Sequence, residues 1–196
     1  QRQMCIRDST QPPLATLFGL PHHFWDEGVR RYGFHGLSYR YIAEKLPGLI
    51  GEKSQGRIVV AHLGHGASLC ALKNLKSVAT TMGMTALDGL PMGTRCGSID
   101  PGVILYLLSH KRYSIQDMLD LLYSRSGLLG LSGVSDDMQA LLKSKTPRAT
   151  QAIDYFCYHI RRDLGSLVAA LQGLDALIFT GGIGENEPII RQKVCE

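Results

Sequence analysis

Charge is the first thing this sequence has little of. Asp, Glu, Lys and Arg make up 19% of its 196 residues, a low share for a soluble globular chain. The net charge of +4 comes from scattered lysines and arginines, not from the basic stripe of a nucleic-acid binder, so no nucleic-acid partner is expected. Long apolar runs are lacking too: none approaches the roughly eighteen residues of a membrane span, and no signal-peptide pattern is visible. Neither a membrane partner nor a secreted setting is expected. The five cysteines, Cys5, Cys70, Cys96, Cys157 and Cys195, form an odd set without a C-x-x-C pair. That argues against a disulfide scaffold or a zinc site and for free thiols in a reducing, cytoplasmic compartment. Ready-made signatures are missing as well. There is no G-x-G-x-x-G, P-loop, nucleophile elbow or H-E-x-x-H, and no clustered set of metal ligands. No fixed-period repeat or low-complexity tract stands out.

What is present begins at RIVVAHLGHGAS, residues 57–68. Ile58, Val59, Val60 and Ala61 form an apolar, β-branched run that predicts a buried strand. It leads into Gly64-His65-Gly66 and Ser68, and a glycine turn after a strand exposes backbone N–H groups to an anion such as phosphate. A second stretch repeats the design: ALIFT at 176–180, then Gly181, Gly182, Ile183, Gly184, Glu185 and Asn186. Two such turns in one chain point to a nucleotide held between them.

The remaining segments supply two further candidates. Residues 14–20 read as a short helix ended by Pro21. Gly33 and Gly36 flank Phe34-His35, so the backbone can bend and present the imidazole to a cleft; a structural histidine in a tight turn is the alternative. Ser38 reads as the N-cap of a helix over 39–46, ended by Pro47-Gly48. Strands over 67–72 and 77–81, joined through a turn at Asn74, continue the first strand as a meander. The loop 82–102 holds five glycines and two prolines; it is too apolar for a disordered linker and reads as a folded active-site loop. Its one basic residue, Arg95, could recognise phosphate or carboxylate bidentately, or pair with Asp88 or Asp100 to hold the loop together.

Helices follow. Pro101 opens one over 103–109, and Ser114 with Asp117 forms a capping box for 115–123. A glycine-serine turn is expected at 126–133, then a short helix over 136–143 capped by Ser135. Thr146-Pro147 opens the longest helix, to about Gln172. There Ile153, Phe156, Cys157, Ile160, Leu164, Leu167 and Leu171 recur at three- and four-residue spacing as a core stripe. A last helix starts near Pro188. The order of elements gives an α/β or α+β fold.

Glycine turns after strands, a glycine-flanked imidazole and an arginine in a glycine-rich loop are the equipment of phosphoryl transfer. There, positioning, fixed cations and N–H donors supply most of the catalysis. RRYGFHGLS at 30–38, AHLGHGAS at 61–68, MGMTALDGLPMGTRCGSIDPG at 82–102 and FTGGIGENE at 179–187 together resemble the acetate kinase family, in the right order and across residues 10–196. The resemblance implies the acetate and sugar kinase, Hsp70 and actin superfamily. Its fold is α/β, with two ribonuclease H-like (actin-like ATPase) domains hinged about a nucleotide cleft. It further implies partial coverage here: 10–56 as the tail of the first domain, 57–196 as most of the second, and truncation at both ends. Residues 1–9, without usable periodicity, read as a foreign or mis-assembled head.

The activity implied is reversible phosphoryl transfer between ATP and acetate, giving acetyl phosphate and ADP, with Mg2+ held by ligands outside this chain and usually in a homodimer. By the resemblance, His35 and Arg95 stabilise the transferring phosphoryl group. His62, Leu63, Gly64, His65 and Gly66 hold ATP phosphates, Asp137, Met138 and Gln139 contact the nucleotide, and Gly181, Gly182, Ile183, Gly184 and Glu185 lie against the adenosine. No metal ligand is assigned within the chain. Two positions depart from the family: His65 stands where asparagine is usual, and Gln139 replaces a usual arginine. The family's N-terminal magnesium and phosphate motif, substrate-binding arginine and catalytic aspartate should precede Thr10, and a glutamate near the magnesium should lie beyond Glu196. Little or no kinase activity is therefore expected of the chain alone. The alternatives are a propionate or other short-chain acyl kinase, and a non-catalytic nucleotide-binding module of actin or Hsp70 type.

Overall fold

The apolar run at 58–61 lies inside β1 (Arg57–Leu63), the centre of a sheet completed by β2 (Ala67–Lys73), β3 (Lys76–Thr80) and β4 (Ala176–Thr180). The computed structural model describes residues 10–196; the expected foreign head at 1–9 lies outside them. Strand order is β3-β2-β1-β4. β1 pairs antiparallel with β2 and parallel with β4, and β2 pairs antiparallel with β3. The β2–β3 turn has both central residues at positive φ, Asn74 at 52° and Leu75 at 61°, as a two-residue type I′ hairpin requires.

Helices cover both faces of the sheet, which is why β1 reads as continuously apolar and does not alternate. Ile58, Val60, Cys70 and Leu72 pack with Tyr39 and Leu46 of α3 (Gly36–Ile50). Their neighbours Val59, Ala61, Leu63, Leu69 and Ala71 face the larger core under α8 (Pro147–Leu171). The predicted stripe of α8 is that core: Ile153, Phe156, Cys157, Ile160, Leu167 and Leu171 are buried. Around α8 lie α6 (Gly127–Ser132), α7 (Met138–Lys143) and α10 (Pro188–Cys195). The remaining helices are α1 (Pro13–Thr16), α2 (His23–Asp26), α4 (Pro101–His110), α5 (Ile115–Ser124) and α9 (Gly181–Asn186). No described helix is long and apolar enough to cross a membrane.

Several local expectations hold: the Ser114/Asp117 capping box, Thr146 capping α8, and an irregular loop, ending at Asp100 where α4 begins, pinned by the fully buried Met82, Leu90 and Met92. Others are corrected. The first helix stops at Thr16. α3 continues through Pro47 to Ile50, because Leu46 beside it is buried against the sheet and packing outweighs one lost donor. Ser38 does not cap α3; His35 holds that place at φ 145° without a side-chain cap. Within the segment expected as a turn, 127–132 is helical, and Gly127 at φ 60° lies so close to the 82–102 segment that a Cβ there would stand 2.1 Å from Met92 O. Asp137, not Ser135, caps α7, and the second glycine segment coils into α9.

Phe156 is fully buried at the centre of this core. Phe156→Ala should destabilise the chain by about 3–5 kcal/mol, read as a lowered urea midpoint with the slope unchanged.

Candidate active site

Parallel pairing brings the two glycine segments together. His62 stands beside Thr180 in the register, so the turn after β1 and the start of α9 lie side by side. The turn closes on itself, Gly64 N–H donating to Gly66 O at 3.1 Å. Gly181 adopts φ 80°, and a Cβ there would meet Leu63 O at 2.7 Å. This close approach demands glycine.

Beside these segments opens a cleft of about 370 Å³. Of the residues expected to hold nucleotide, Gly64, His65, Asp137, Met138, Gln139, Gly182 and Ile183 line it. Asn186 and Glu187, which end the FTGGIGENE stretch, line it as well, and so does Asp136, which the sequence marked only as the start of a helix. Several of the expected residues have their side chains engaged elsewhere. Leu63 and Met138 are buried in the core. The Asp137 carboxylate accepts Ala140 N–H at 3.0 Å as the cap of α7. Glu185 Oε1 accepts from Thr180 Oγ1 and Gly181 N–H, each at 3.2 Å, and Gly184 packs against Ala61 and Leu63. These positions offer a ligand mainly backbone. His65 turns toward Asp136, Nε2 to Oδ2 3.0 Å, and its ring lies against Gly93, where a Cβ would stand 2.4 Å away.

His35 and Arg95 meet on the other side of the same turn. A Cβ on Gly66 would stand 2.7 Å from Arg95 Nη2 and 3.3 Å from His35 Nε2. Arg95 Nη1 donates to Ala86 O at 2.6 Å. Of the carboxylates considered for Arg95, Asp88 accepts from Arg31 Nη1 at 2.9 Å and from Ser98 Oγ at 2.7 Å, while Asp100 caps α4. His35 Nδ1 lies 2.7 Å from Ser68 Oγ, and Ser68 Oγ also contacts Tyr39 Oη. The His35 and His62 rings face each other at 4.4 Å, and His62 Nδ1 lies 2.9 Å from Ser38 Oγ.

Burial first, then His62 and Arg95, push His35 down to about 4. Burial also lowers His62, against the pull of Glu185. His35 is therefore neutral at pH 7, and Arg95 supplies the positive charge beside it. Among the described residues no group of three or more His, Cys, Asp or Glu is gathered to hold a metal ion.

The acetokinase family model matches residues 8–196. The acetate kinases of Rhodopseudomonas palustris (strain TIE-1) and Methylocella silvestris are 61% and 57% identical to the chain over 186 and 187 residues. Those matches cover 94% and 95% of this chain and 47% and 46% of theirs. Porphyromonas gingivalis acetate kinase superposes with a TM-score of 0.91 at 41% identity, covering 95% of this chain and 48% of that one. A propionate kinase from Francisella tularensis superposes with 0.89 at 35% identity, covering 95% and 49%. The architecture is thus part of the actin-like ATPase fold. Within it, the chain belongs to the acetokinase family, and it spans about half the length of the curated relatives it matches.

The lowered His35 has a consequence for stability. Above pH 6.5 folded and unfolded chains both leave this imidazole neutral; between 6.5 and about 4 only the unfolded chain takes up the proton. Stability therefore falls as pH falls through that window. By pH 4 the wild-type chain should lose roughly 3 kcal/mol more than a His35→Gln variant, measured from urea midpoints at each pH. Equal losses would show that the folded imidazole accepts the proton.

Proposed function

We propose that this chain carries the nucleotide and phosphoryl side of a reversible ATP–acetate phosphotransferase that forms acetyl phosphate and ADP. The observation behind this reading is the convergence of Arg95 Nη2 and His35 Nε2 on Gly66. A guanidinium and an imidazole reach the same point of a glycine turn, beside a cleft at the carboxyl ends of two parallel strands.

ATP would bring the phosphoryl group, and Mg2+, implied by the family, would accompany its phosphates. The chain's own residues then have separate tasks. The 64–66 turn and the start of α9 let phosphates approach backbone without Cβ hindrance. Arg95 places a fixed charge, and His35 a neutral donor, where negative charge grows on the equatorial oxygens. Asp136, Gln139 and Asn186 would border the nucleoside end of the cleft. We take 57–196 as the nucleotide-side domain and 10–56 as the tail of its neighbour, with little phosphotransfer by the chain alone.

The propionate kinase likeness, nearly as close in fold as the acetate kinase one, supports a second reading in which another short-chain acid is the acceptor. The described cysteines Cys70, Cys96, Cys157 and Cys195 are free, in keeping with a cytoplasmic setting. Homodimerisation is carried over from the family; the apolar α4, which has no buried residue, supports an association surface.

Calorimetry with MgADP, with and without aluminium fluoride as a planar phosphoryl mimic, tests the main reading. MgADP should bind, and the mimic should tighten binding in the wild-type chain. Arg95→Ala should erase at least about tenfold of that gain and leave affinity for MgADP itself nearly unchanged. If MgADP affinity collapsed instead, a nucleotide-binding module without phosphotransfer would replace this reading.

A further inference from the structure

Ser68 is a polar residue in an apolar layer. On β2 it lies opposite His62 in the register and on the same side of the strand as Cys70 and Leu72, which pack against α3. Its exposure is 0%, and that of Tyr39 is 3%. A hydroxyl at such a depth is costly unless bonded, and Ser68 has two partners, His35 Nδ1 at 2.7 Å and the Tyr39 hydroxyl.

We propose that Tyr39 and Ser68 form a hydroxyl relay that holds neutral His35 as the tautomer with its proton on Nε2. This rests on the phosphoryl-transfer reading, in which His35 must donate from Nε2; Tyr39 and Ser68 act through it as positioning residues. The direction follows from donor and acceptor strength. At 0% exposure the single proton of Ser68 needs an acceptor, so with two partners the hydroxyl donates to one and accepts from the other. A phenol is more acidic than an aliphatic hydroxyl, and an imidazole nitrogen is a better acceptor than a phenol oxygen. The favoured chain therefore runs from Tyr39 O–H to Ser68 Oγ and from Ser68 O–H to His35 Nδ1, each bond polarising the next. Nδ1 keeps its lone pair, and the single proton of the neutral ring sits on Nε2, the nitrogen that faces Gly66 beside Arg95.

Arg95 works against this form. The Arg95 guanidinium near Nε2 favours a lone pair there, which would turn an acceptor toward a phosphoryl oxygen. The relay opposes this. Its two hydroxyls come from different layers, Tyr39 from α3 and Ser68 from the sheet, so the tautomer depends on α3 staying docked.

Two-bond proton–nitrogen correlation spectra of the 15N-histidine-labelled chain at pH 7 read which nitrogen carries the proton. The wild-type chain should show His35 as the Nε2–H form. Ser68→Ala should shift the ratio toward the Nδ1–H form by about fivefold or more, Ser68→Thr should restore it, and Tyr39→Phe should move it in the same direction to a smaller extent. A wild-type Nδ1–H ring, or a ratio unmoved in both Ser68→Ala and Tyr39→Phe, overturns the relay. If Ser68→Ala does not fold, the wild-type form and Tyr39→Phe decide. No nucleotide is needed for these spectra. A chain that shows the tautomer response and fails to bind MgADP would keep the relay and lose the functional reading; the opposite pair of results would do the reverse.

Discussion

Two histidine–serine bonds crossing in opposite directions tie α3 to the β1–β2 hairpin, and the candidate site depends on them. His35, at the start of α3, reaches Ser68 on the sheet, and His62 on the sheet reaches Ser38 in the first turn of α3. The rings meet between these bonds at 4.4 Å. Two charged imidazoles so close would repel; burial keeps His35 neutral at pH 7 and lowers His62 as well, so the contact is one of packing and dipoles. Arg95 can then hold charge at the turn while the histidines set direction and spacing.

Arg95 stands on a loop without regular structure, yet its base is fixed. Met92 N–H bonds Arg95 O, Cys96 N–H bonds Leu122 O, and Ser126 N–H bonds Thr94 O, each within 3.0 Å. α5 and α6 thus grip both sides of the residue. Further along, Asp88 gathers Arg31, Ser98 and Gly89 N–H. Apolar anchors at Met82, Leu90 and Met92 complete the arrangement. Such a loop can hold a guanidinium in one place without the entropy cost of ordering it on binding.

Much of this was legible in the chain. β1 and α8 were readable because burial on two faces, or along one stripe, leaves its period in the residues themselves. His35 and Arg95 were readable because glycines on either side mark a backbone that bends toward something. The errors share a cause. Ser38 is a good cap by local preference, Pro47 a good stop and 181–184 a good turn, but His62, Leu46 and the contact with β1 decided otherwise. Ser68 was legible beside the first turn but without a role, and Tyr39 and Asp136 only as helix starts, because a hydroxyl or carboxylate gains meaning only from its partner. Those partners are set by strand register and by which face of α3 meets the sheet, neither of which is visible in one sequence.

β4 ends the described sheet, pairing with β1 on one side only. Its five residues, Ala176, Leu177, Ile178, Phe179 and Thr180, carry no charge and no proline, and each is partly exposed. Along its other edge no described strand pairs with it, and a strand edge is where a further extended segment can add. The strand that brings the two glycine segments together is therefore also an edge of the described sheet. Edge and site geometry meet in the same five residues, and a charge placed on that edge would have to spare the register that aligns Thr180 with His62.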